Sequence, residues 1–330
     1  MSKLRLTFAC GPYDHTQALR DGSLQPDGID LNYLALQPAE IFWRMLQYRE
    51  FDASEMSLSN YTSLVSDGDA PFIAVPAFPS RVFRHGYFFV NADKGIRHPG
   101  ELKGKRGGVP EYSMTAAVYM RGLLEHEYGV KPSEVEWVQG RADRLGRKLP
   151  ADIRLTQAPA GTELGDMLER GDIDFMMTAN NPLAFRRGSS KVRRLFPDYA
   201  AAEKDYYRRT KIYPIMHTVV IRRDICERDP WVAVSLYKAL CAAKDRCYHF
   251  LAELGSSKVP SAWLQPLFEE EQAVIGPDWF AYGIAQNRPS IEALLQYAHE
   301  QGLTQRRVKL DELFAPGTMR DIPLGDGQRI

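Results

Sequence analysis

The stretch FPSRVFRHG, residues 78–86, decides how this chain is divided. The run FIAVPA precedes it and YFFV follows it, and both apolar runs are typical of buried strands. The short joint between them carries Arg81, Arg84 and His85. Such a joint is expected where a chain crosses from one lobe to another. Its polar side chains are then predicted to lie at the floor of a cleft between the lobes.

The overall composition restricts the possible classes of protein. A length of 330 residues favours two domains of about 150 residues over a single core. Apolar residues make up 44% and charged residues 25%, as in ordinary globular proteins. The 42 Lys and Arg residues balance 42 Asp and Glu residues, so no net charge attracts nucleic acid or an anionic membrane. Any recognition of anions is therefore expected to be local.

The amino-terminal segment MSKLRLTFACGPYDH lacks the unbroken apolar run and the cleavage site of a secretory signal. No apolar stretch in the sequence is long enough to span a bilayer. We therefore expect a cytoplasmic protein without a membrane partner. The four cysteines form neither a CxxC pair nor a zinc-binding spacing, and we interpret them as small buried thiols.

Strand-like and helix-like patterns alternate along the first third of the chain, which predicts parallel βα units. The rhythm restarts after YFFVN, and IYPIMHTVVIRR is interpreted as the strand that returns. No linker or internal repeat separates the halves. We predict an α/β protein of two lobes, each a mixed sheet flanked by helices, joined by two crossing strands. Lobe 1 would comprise residues 1–85 and 215–330, with the C-terminal helices, and lobe 2 would be the insertion 86–214.

Polar side chains from several loops are predicted to converge on the cleft. Ser and Thr hydroxyls open one helix in each lobe, where unpaired N–H groups and the positive end of the helix favour anions. Arginine adds a planar fork that binds a carboxylate through two bonds. A small, aromatic di-anion is the expected ligand. The candidate binding residues are Tyr13, His15, Ser57, Ser59, Arg84, Tyr112, Ser113, Thr115 and Asn180.

Each candidate also has an ordinary structural interpretation. Ser and Thr at helix starts are commonly caps, the arginines of the joint are compatible with a surface loop, and His217 is compatible with a buried core position. The segment RADRLGRK, residues 141–148, is interpreted as a solvated face rather than a nucleic-acid patch. GKRGG lacks the spacing of a phosphate-binding loop, and neither HExxH nor GxSxG occurs.

Four longer stretches resemble the 4,5-dihydroxyphthalate decarboxylase family: PAFPSRVFRHGYFFVN, ELKGKRGGVPEYSMTAAVYMRGLLEHEYGV, PIMHTVVIRRDICERDPWVAVSLYKAL and GPDWFAYGIAQNRPSIEALLQYAHEQGL. FRH and PIMH are the most specific of these marks. The resemblance runs nearly end to end and implies a type 2 periplasmic-binding-protein-like fold. It also implies cofactor-independent loss of CO2 from a hydroxylated aromatic dicarboxylate. His15 and the segment TANNP depart from the family pattern, at loops expected to contact the ring substituents.

The reaction that this resemblance implies needs a proton donor at the ring carbon and anchors for the carboxylates. Histidine suits the donor role because it titrates near neutral pH. We predict His85 or His217 as the donor, with the other assisting the phenol. Arg81 and Arg84 would hold the carboxylates together with Ser57 and Ser113.

Three alternatives stay open at this stage. A divalent metal could be held by Asp14, His15, His85 and His217, although their spacing does not indicate a site. The chain could be a carboxylate-binding receptor or sensor without catalysis, because fold does not fix function. A biosynthetic enzyme on the same fold, such as a thiamine-pyrimidine synthase, ranks lower. The sequence leaves self-association into a homo-oligomer open.

Overall fold

The computed structural model of the chain describes residues 3–68, 70–252 and 259–320. The strands are β1 (Leu4–Cys10), β2 (Ile29–Ala35), β3 (Ala53–Ser57), β4 (Phe72–Arg81), β5 (Phe88–Asn91), β6 (Arg106–Val109), β7 (Glu136–Gln139), β8 (Arg154–Gln157), β9 (Phe175–Met177), β10 (Val192–Arg194) and β11 (Ile215–Arg222). The helices are α1 (Gln17–Arg20), α2 (Pro38–Tyr48), α3 (Leu58–Asp67), α4 (Thr115–Tyr128), α5 (Leu164–Arg170), α6 (Leu183–Arg186), α7 (Tyr199–Thr210), α8 (Arg223–Arg228), α9 (Trp231–Ala252), α10 (Leu264–Ile275) and α11 (Arg288–Glu300).

The strands form two sheets, and each sheet mixes parallel and antiparallel pairs. The first sheet has the order β2-β1-β3-β11-β4, in which β11 returns to lie antiparallel between β3 and β4. The second has the order β10-β5-β9-β6-β7-β8. The predicted α/β class with two mixed sheets is thereby confirmed. The exact lobe boundaries at residues 85 and 215 stay a prediction.

Local sequence signals explain where several helices begin and end. Pro38 occupies the first turn of α2, where its missing N–H costs nothing. Gly68 follows α3 in the left-handed conformation, with φ 92°, which glycine adopts without steric strain. These local signals set the first turn of α2 and the end of α3, as the sequence predicts.

Helix α4 lies at the centre of the molecule. Its first ten residues, 115–124, are all buried, as expected for a helix covered on every side. Helix α11 packs against both α3 and α4: Nε2 of Gln301 donates to the Val118 carbonyl at 2.9 Å, and Oγ of Ser63 donates to the Leu303 carbonyl at 2.9 Å. The C-terminal region therefore contacts helices associated with both sheets.

The chain crosses between the two sheets twice. The outward crossing runs from the end of β4 through a short 3-10 turn, His85–Tyr87, into β5. The return crossing follows α7 and enters β11. Within the described part of the chain, no helix combines the length and the apolar character needed to cross a bilayer.

Candidate active site

A cavity of about 430 Å³ lies between the two sheets, where the strand ends of one face helix starts of the other. We call it the interlobe cavity. The side chains that line it include Tyr13, Phe42, Ser57, Ser80, Arg84, Tyr87, Thr115, Arg141, Arg144, Asn180, Met216 and His217.

The register of the first sheet places His217 at the floor of this cavity. His217 on β11 lies opposite Ser57 on β3 and opposite Ser80 on β4, so the three side chains share one face of the sheet. Glu55 lies two residues before Ser57 and is therefore the diagonal neighbour of His217 on that face. The pairing of β11 with β4 shifts register on both sides of His217. Such bulges re-aim a side chain relative to the regular pleat.

Glu55 is fully buried and accepts three hydrogen bonds. Its Oε1 accepts from Nδ1 of His217 at 2.5 Å and from Oη of Tyr13 at 2.6 Å, and its Oε2 accepts from the Gly11 N–H at 2.7 Å. Burial alone would raise the pKa of Glu55, but these bonds and the imidazole hold it below its ordinary value. The carboxylate therefore carries its charge and fixes the proton of His217 on Nδ1.

Tyr13 stays a neutral hydrogen-bond donor in this arrangement. Burial raises the pKa of its phenol, and the charge of Glu55 raises it further. The ring of Phe42 packs edge-on against His217, with 4.8 Å between the centroids. The imidazole is thus held at Nδ1 by a carboxylate and on one side by an aromatic ring. Since His217 also lines the cavity, its Nε2 is the ring nitrogen left for a ligand.

Arg84 contributes a buried cation to the cavity wall. Its Nε donates to Sδ of Met216 at 3.2 Å, and its guanidinium lies 5.1 Å from the ring centroid of Tyr87. Burial lowers the pKa of Arg84 to about 10, which leaves the group charged at neutral pH. No ion pair joins Arg84 to a carboxylate among the described residues. A ligand carboxylate would provide the missing counter-charge.

A second cationic group comes from the segment after β7. Nη1 of Arg144 donates to Oε2 of Glu111 at 2.7 Å, and Nε of Arg141 donates to the same oxygen at 3.0 Å. Glu111 is fully buried behind the wall, whereas both arginines line the cavity. One carboxylate therefore holds two guanidinium groups, and a positive charge remains for a ligand.

Hydroxyl groups from α3 and α4 meet at one end of the cavity. Oγ of Ser57 lies 2.9 Å from Oγ1 of Thr115, and the Ser59 N–H donates to the same Thr115 oxygen at 3.1 Å. Oγ of Ser59 donates to the Ser113 carbonyl at 2.6 Å. Ser57 and Thr115 line the cavity, while Ser59 and Ser113 lie behind them and connect the two helix starts.

The charges around the interlobe cavity favour a small anion. Of the described residues that line it, Arg84, Arg141, Arg144 and His217 are the cationic or titratable bases, and none is an acid. The two carboxylates that bond these groups, Glu55 and Glu111, are buried and already paired. Because Arg84 is buried, its charge acts more strongly than it would on a surface. The site is suited to a planar acid with more than one carboxylate.

The structure brings half of the residues predicted from the sequence to this cavity. Those that line it are Tyr13, Ser57, Arg84, Thr115, Asn180 and His217.

Arg81 and His15 differ from the expectation, because they line a neighbouring cavity of about 320 Å³ instead. The Arg81 guanidinium donates to the carbonyls of Ala281 and Tyr213 and lies 4.2 Å from the Tyr213 ring centroid. His15 bonds Asp14 and stacks on Tyr13. Arg81 thus bonds the segments that carry Tyr213 and Ala281 and does not line the interlobe cavity.

His85 also lies away from the cavity. Its ring packs against Phe196 and Tyr206, at centroid distances of 5.1 and 5.3 Å. Burial lowers the pKa of His85 to about 4, so the imidazole is neutral at pH 7. The ring of Tyr112 packs over Arg121 rather than toward a ligand. Neither His85 nor Arg81 therefore lies where it could contact a ligand in the interlobe cavity.

The sequence analysis did not identify Glu55, Arg141 or Arg144 as site residues. The signal for Glu55 was an acid within ASEMS, a strand whose five residues are all buried; a buried acid is normally paired. The interpretation of RADRLGRK as a solvated face is corrected in part. Arg144 has only 15% of its side chain exposed, because it pairs with the buried carboxylate of Glu111.

The metal alternative receives no geometric support at the predicted ligands. Asp14 and His15 contact each other, while His217 bonds Glu55 and His85 lies elsewhere. Within residues 3–68, 70–252 and 259–320, one group has metal-binding side chains close together: Glu125, His126 and Glu300. That group does not line the interlobe cavity.

Two curated proteins are similar to this chain in sequence, and both are named 4,5-dihydroxyphthalate decarboxylase. The protein from Comamonas testosteroni is 38% identical over 330 residues, which cover 98% of this chain and all of that protein. The protein from Pseudomonas putida is 42% identical over 214 residues, which cover 63% of this chain and 83% of that protein. No model of a known protein family matches the chain.

Solved structures with a similar architecture include periplasmic binding proteins. A periplasmic sulfonate-binding protein from Methylobacillus flagellatus has a TM-score of 0.54 and 12% identity, covering 96% of this chain and 93% of its own. The periplasmic aliphatic sulphonate binding protein from Escherichia coli has a TM-score of 0.51 and 11% identity, covering 98% and 96%. At such low identity the likeness shows the fold alone: a two-lobed, periplasmic-binding-protein-like fold.

Proposed function

Because this chain belongs to the 4,5-dihydroxyphthalate decarboxylase family, we propose that it removes one carboxyl group from 4,5-dihydroxyphthalate in the interlobe cavity, with His217 as proton donor. The observation that carries this assignment is the buried pair of Glu55 and His217. A carboxylate on Nδ1 stabilises the protonated imidazole and orients Nε2 toward the ligand. The product is 3,4-dihydroxybenzoate.

Two groups of arginines anchor the substrate. Arg84 supplies one guanidinium without a protein carboxylate, and the pair Arg141 and Arg144 supplies a second positive charge beyond that of Glu111. Two unbalanced positive charges match the two carboxylates of a phthalate dianion. Ser57 and Thr115 offer hydroxyl groups to the ring substituents.

The reaction begins with proton transfer from Nε2 of His217 to the ring carbon that carries the departing carboxylate. The hydroxyl para to that carbon releases electron density, loses its own proton to solvent and becomes a carbonyl, so that the intermediate has an uncharged dienone ring and still carries both carboxylates. The bond between the ring and the carboxylate then breaks, CO2 leaves, and the electron pair restores the aromatic ring. The phenol oxygen is reprotonated, and the net reaction consumes one proton for each CO2 released.

The contributions of the protein to this reaction are positioning and electrostatics. A positioned general acid contributes about 10²- to 10⁴-fold to the rate. Arg84 and Arg144 hold the carboxylates so that the ring carbon faces His217. Glu55 supports the cationic form of the acid before transfer and keeps the ring oriented after it.

The proposed steps use no cofactor and no metal. A divalent ion bound by the two phenol oxygens of the substrate would be an alternative source of polarisation. Turnover by protein treated with a chelator and then freed of it distinguishes the two mechanisms. Undiminished turnover supports the route through His217, and loss that is restored by one added metal contradicts it.

The direct test incubates the protein with 4,5-dihydroxyphthalate and follows both the ultraviolet spectrum and the CO2 released. The proposal predicts that one CO2 and one 3,4-dihydroxybenzoate form for each substrate consumed, with deuterium at one ring carbon when the solvent is D2O. Binding without CO2 release would contradict the proposal and indicate a receptor. 4-Hydroxyphthalate has one hydroxyl, which is para to only one of the two carboxylates, so the mechanism predicts 3-hydroxybenzoate and not 4-hydroxybenzoate as its product.

A further inference from the structure

Two residues after Arg84, the backbone N–H and the carbonyl of Gly86 are both hydrogen-bonded to side chains. Arg84 begins a tight turn in which the Tyr87 N–H donates to the Arg84 carbonyl at 3.0 Å. The Gly86 N–H donates to Oε1 of Glu203 on α7 at 3.2 Å. The Gly86 carbonyl accepts from Nε of Arg194 on β10 at 2.9 Å. One residue of the joint is thus fixed from two separate elements.

A third contact explains why a glycine occupies this position. A Cβ placed on Gly86 would lie 2.8 Å from Cδ2 of Tyr199, which is closer than side-chain carbons approach. The same tyrosine ring lies 4.6 Å from the guanidinium of Arg194. Tyr199, Glu203 and Arg194 therefore surround the Gly86 peptide, and a larger residue would displace the turn.

Glu203 is a half-buried acid that lies next to the joint instead of in solvent. It accepts from the backbone N–H groups of both Gly86 and His85, and the charges that act on it are those of Arg84 and Arg194. Burial raises the pKa of Glu203 to about 7. Its neighbour Lys204 pairs instead with Glu270 on α10, so it does not share this contact.

We propose that Glu203 is a positioning residue that holds Arg84 at the interlobe cavity through the Gly86 peptide. The inference rests on the proposed function, in which Arg84 binds a substrate carboxylate. Among the described residues, the hydrogen-bond and ring contacts of the Arg84 side chain are to a thioether and an aromatic ring, and neither group carries a charge. The backbone turn held by Glu203 therefore sets where its guanidinium lies.

The test is a double-mutant cycle between Glu203 and Arg84, read as KM and kcat for 4,5-dihydroxyphthalate. Glu203→Ala raises KM about tenfold, as expected when the hydrogen bond from the Gly86 N–H is lost. It leaves kcat within about twofold, because the proton donor lies on another strand. In the Arg84→Gln background the same change alters KM by about twofold or less, since its effect passes through the missing side chain. Glu203→Gln keeps an acceptor oxygen and restores KM in part.

Asp205→Ala is the matched control, because Asp205 lies on the same helix, is exposed and pairs with Arg209. It leaves KM unchanged. Equal effects of Glu203→Ala with and without Arg84 would overturn the inference and indicate a general structural role. A normal KM for Arg84→Gln alone would instead contradict the proposed anchor. A melting temperature for each variant shows that the comparison is made on folded protein.

Discussion

Nδ1 of His217 lies 2.5 Å from Oε1 of Glu55, although 162 positions separate the two residues in the chain. Glu55 lies on β3, before the chain first leaves the first sheet, and His217 lies on β11, the strand that returns after the second sheet is complete. The pair therefore exists only when both crossings are in place. Formation of the donor site is coupled in this way to the assembly of the two-lobed fold.

Replacement of Glu55 by Gln tests the electrostatic support of His217. Glu55→Gln keeps the size and one acceptor oxygen but removes the charge, so kcat falls about 100-fold. Steady-state kinetics with a melting temperature for each protein measures this. Glu50→Gln, which removes an exposed acid paired with Arg44, is the control and retains activity. A Glu55→Gln enzyme with an unchanged kcat would contradict the role given to the carboxylate.

Replacement of the two anchors tests the recognition of a dianion. Arg84→Gln and Arg144→Gln each weaken binding of phthalate, which lacks the hydroxyls needed for reaction, by about tenfold or more. Calorimetry or competition against the substrate measures the dissociation constant. Arg147→Gln is the control, because Arg147 lies in the same segment but pairs with Asp67 away from the cavity. Equal affinities in all four proteins would exclude these arginines as anchors.

Ser57, which lines the interlobe cavity, and Ser59, which lies behind it, are expected to affect different properties of the protein. Ser57 lines the cavity, so Ser57→Ala raises KM about threefold to tenfold through a lost hydrogen bond. Ser59 is fully buried and bonds the Ser113 carbonyl, so Ser59→Ala instead lowers the free energy of unfolding by about 1–3 kcal/mol. Kinetics and denaturant unfolding of both variants measure the two effects. A raised KM for Ser59→Ala together with a lowered free energy of unfolding for Ser57→Ala would contradict the placement of Ser57 at the cavity and of Ser59 behind it.

His85 is predicted to affect stability against pH instead of turnover. Burial lowers the pKa of the folded imidazole to about 4, whereas the unfolded residue titrates near 6.5. Between these values the unfolded chain binds a proton that the folded chain does not, so stability falls as pH falls through this window. This group accounts for about 2 kcal/mol of the stability lost between pH 7 and pH 5.

His85→Gln removes that dependence. Denaturant unfolding of the variant and of wild type at pH 7 and pH 5 gives the difference in the two pH slopes. The variant retains turnover within about threefold at pH 7. A large loss of turnover in folded His85→Gln protein would restore His85 to the chemistry.

The sequence predicts the two mixed sheets because strand and helix periods can be read locally. It predicts Ser57 and Thr115 because they lie at helix starts, and His217 because it lies near the start of the returning strand. It does not give the direction of closely spaced side chains. Arg81, Arg84 and His85 lie within five successive positions, yet of these three only Arg84 lines the interlobe cavity.

Pairing across the sheet is the second property that local patterns do not contain. The partner of Glu55 depends on the register of β11 against β3, which is continuous from His217 to Ile221. Local patterns also do not identify Arg144 as a site residue. The chain has no net charge that would indicate a cationic site, and the buried partner Glu111 lies more than thirty positions earlier.

The central claim is that the imidazole of His217 delivers the proton to the ring carbon, and the rate of CO2 release by folded His217→Gln protein saturated with 4,5-dihydroxyphthalate tests it most directly. The account predicts a fall of at least about 100-fold relative to wild type, while the affinity for phthalate stays within about threefold. CO2 release at close to the wild-type rate would contradict it.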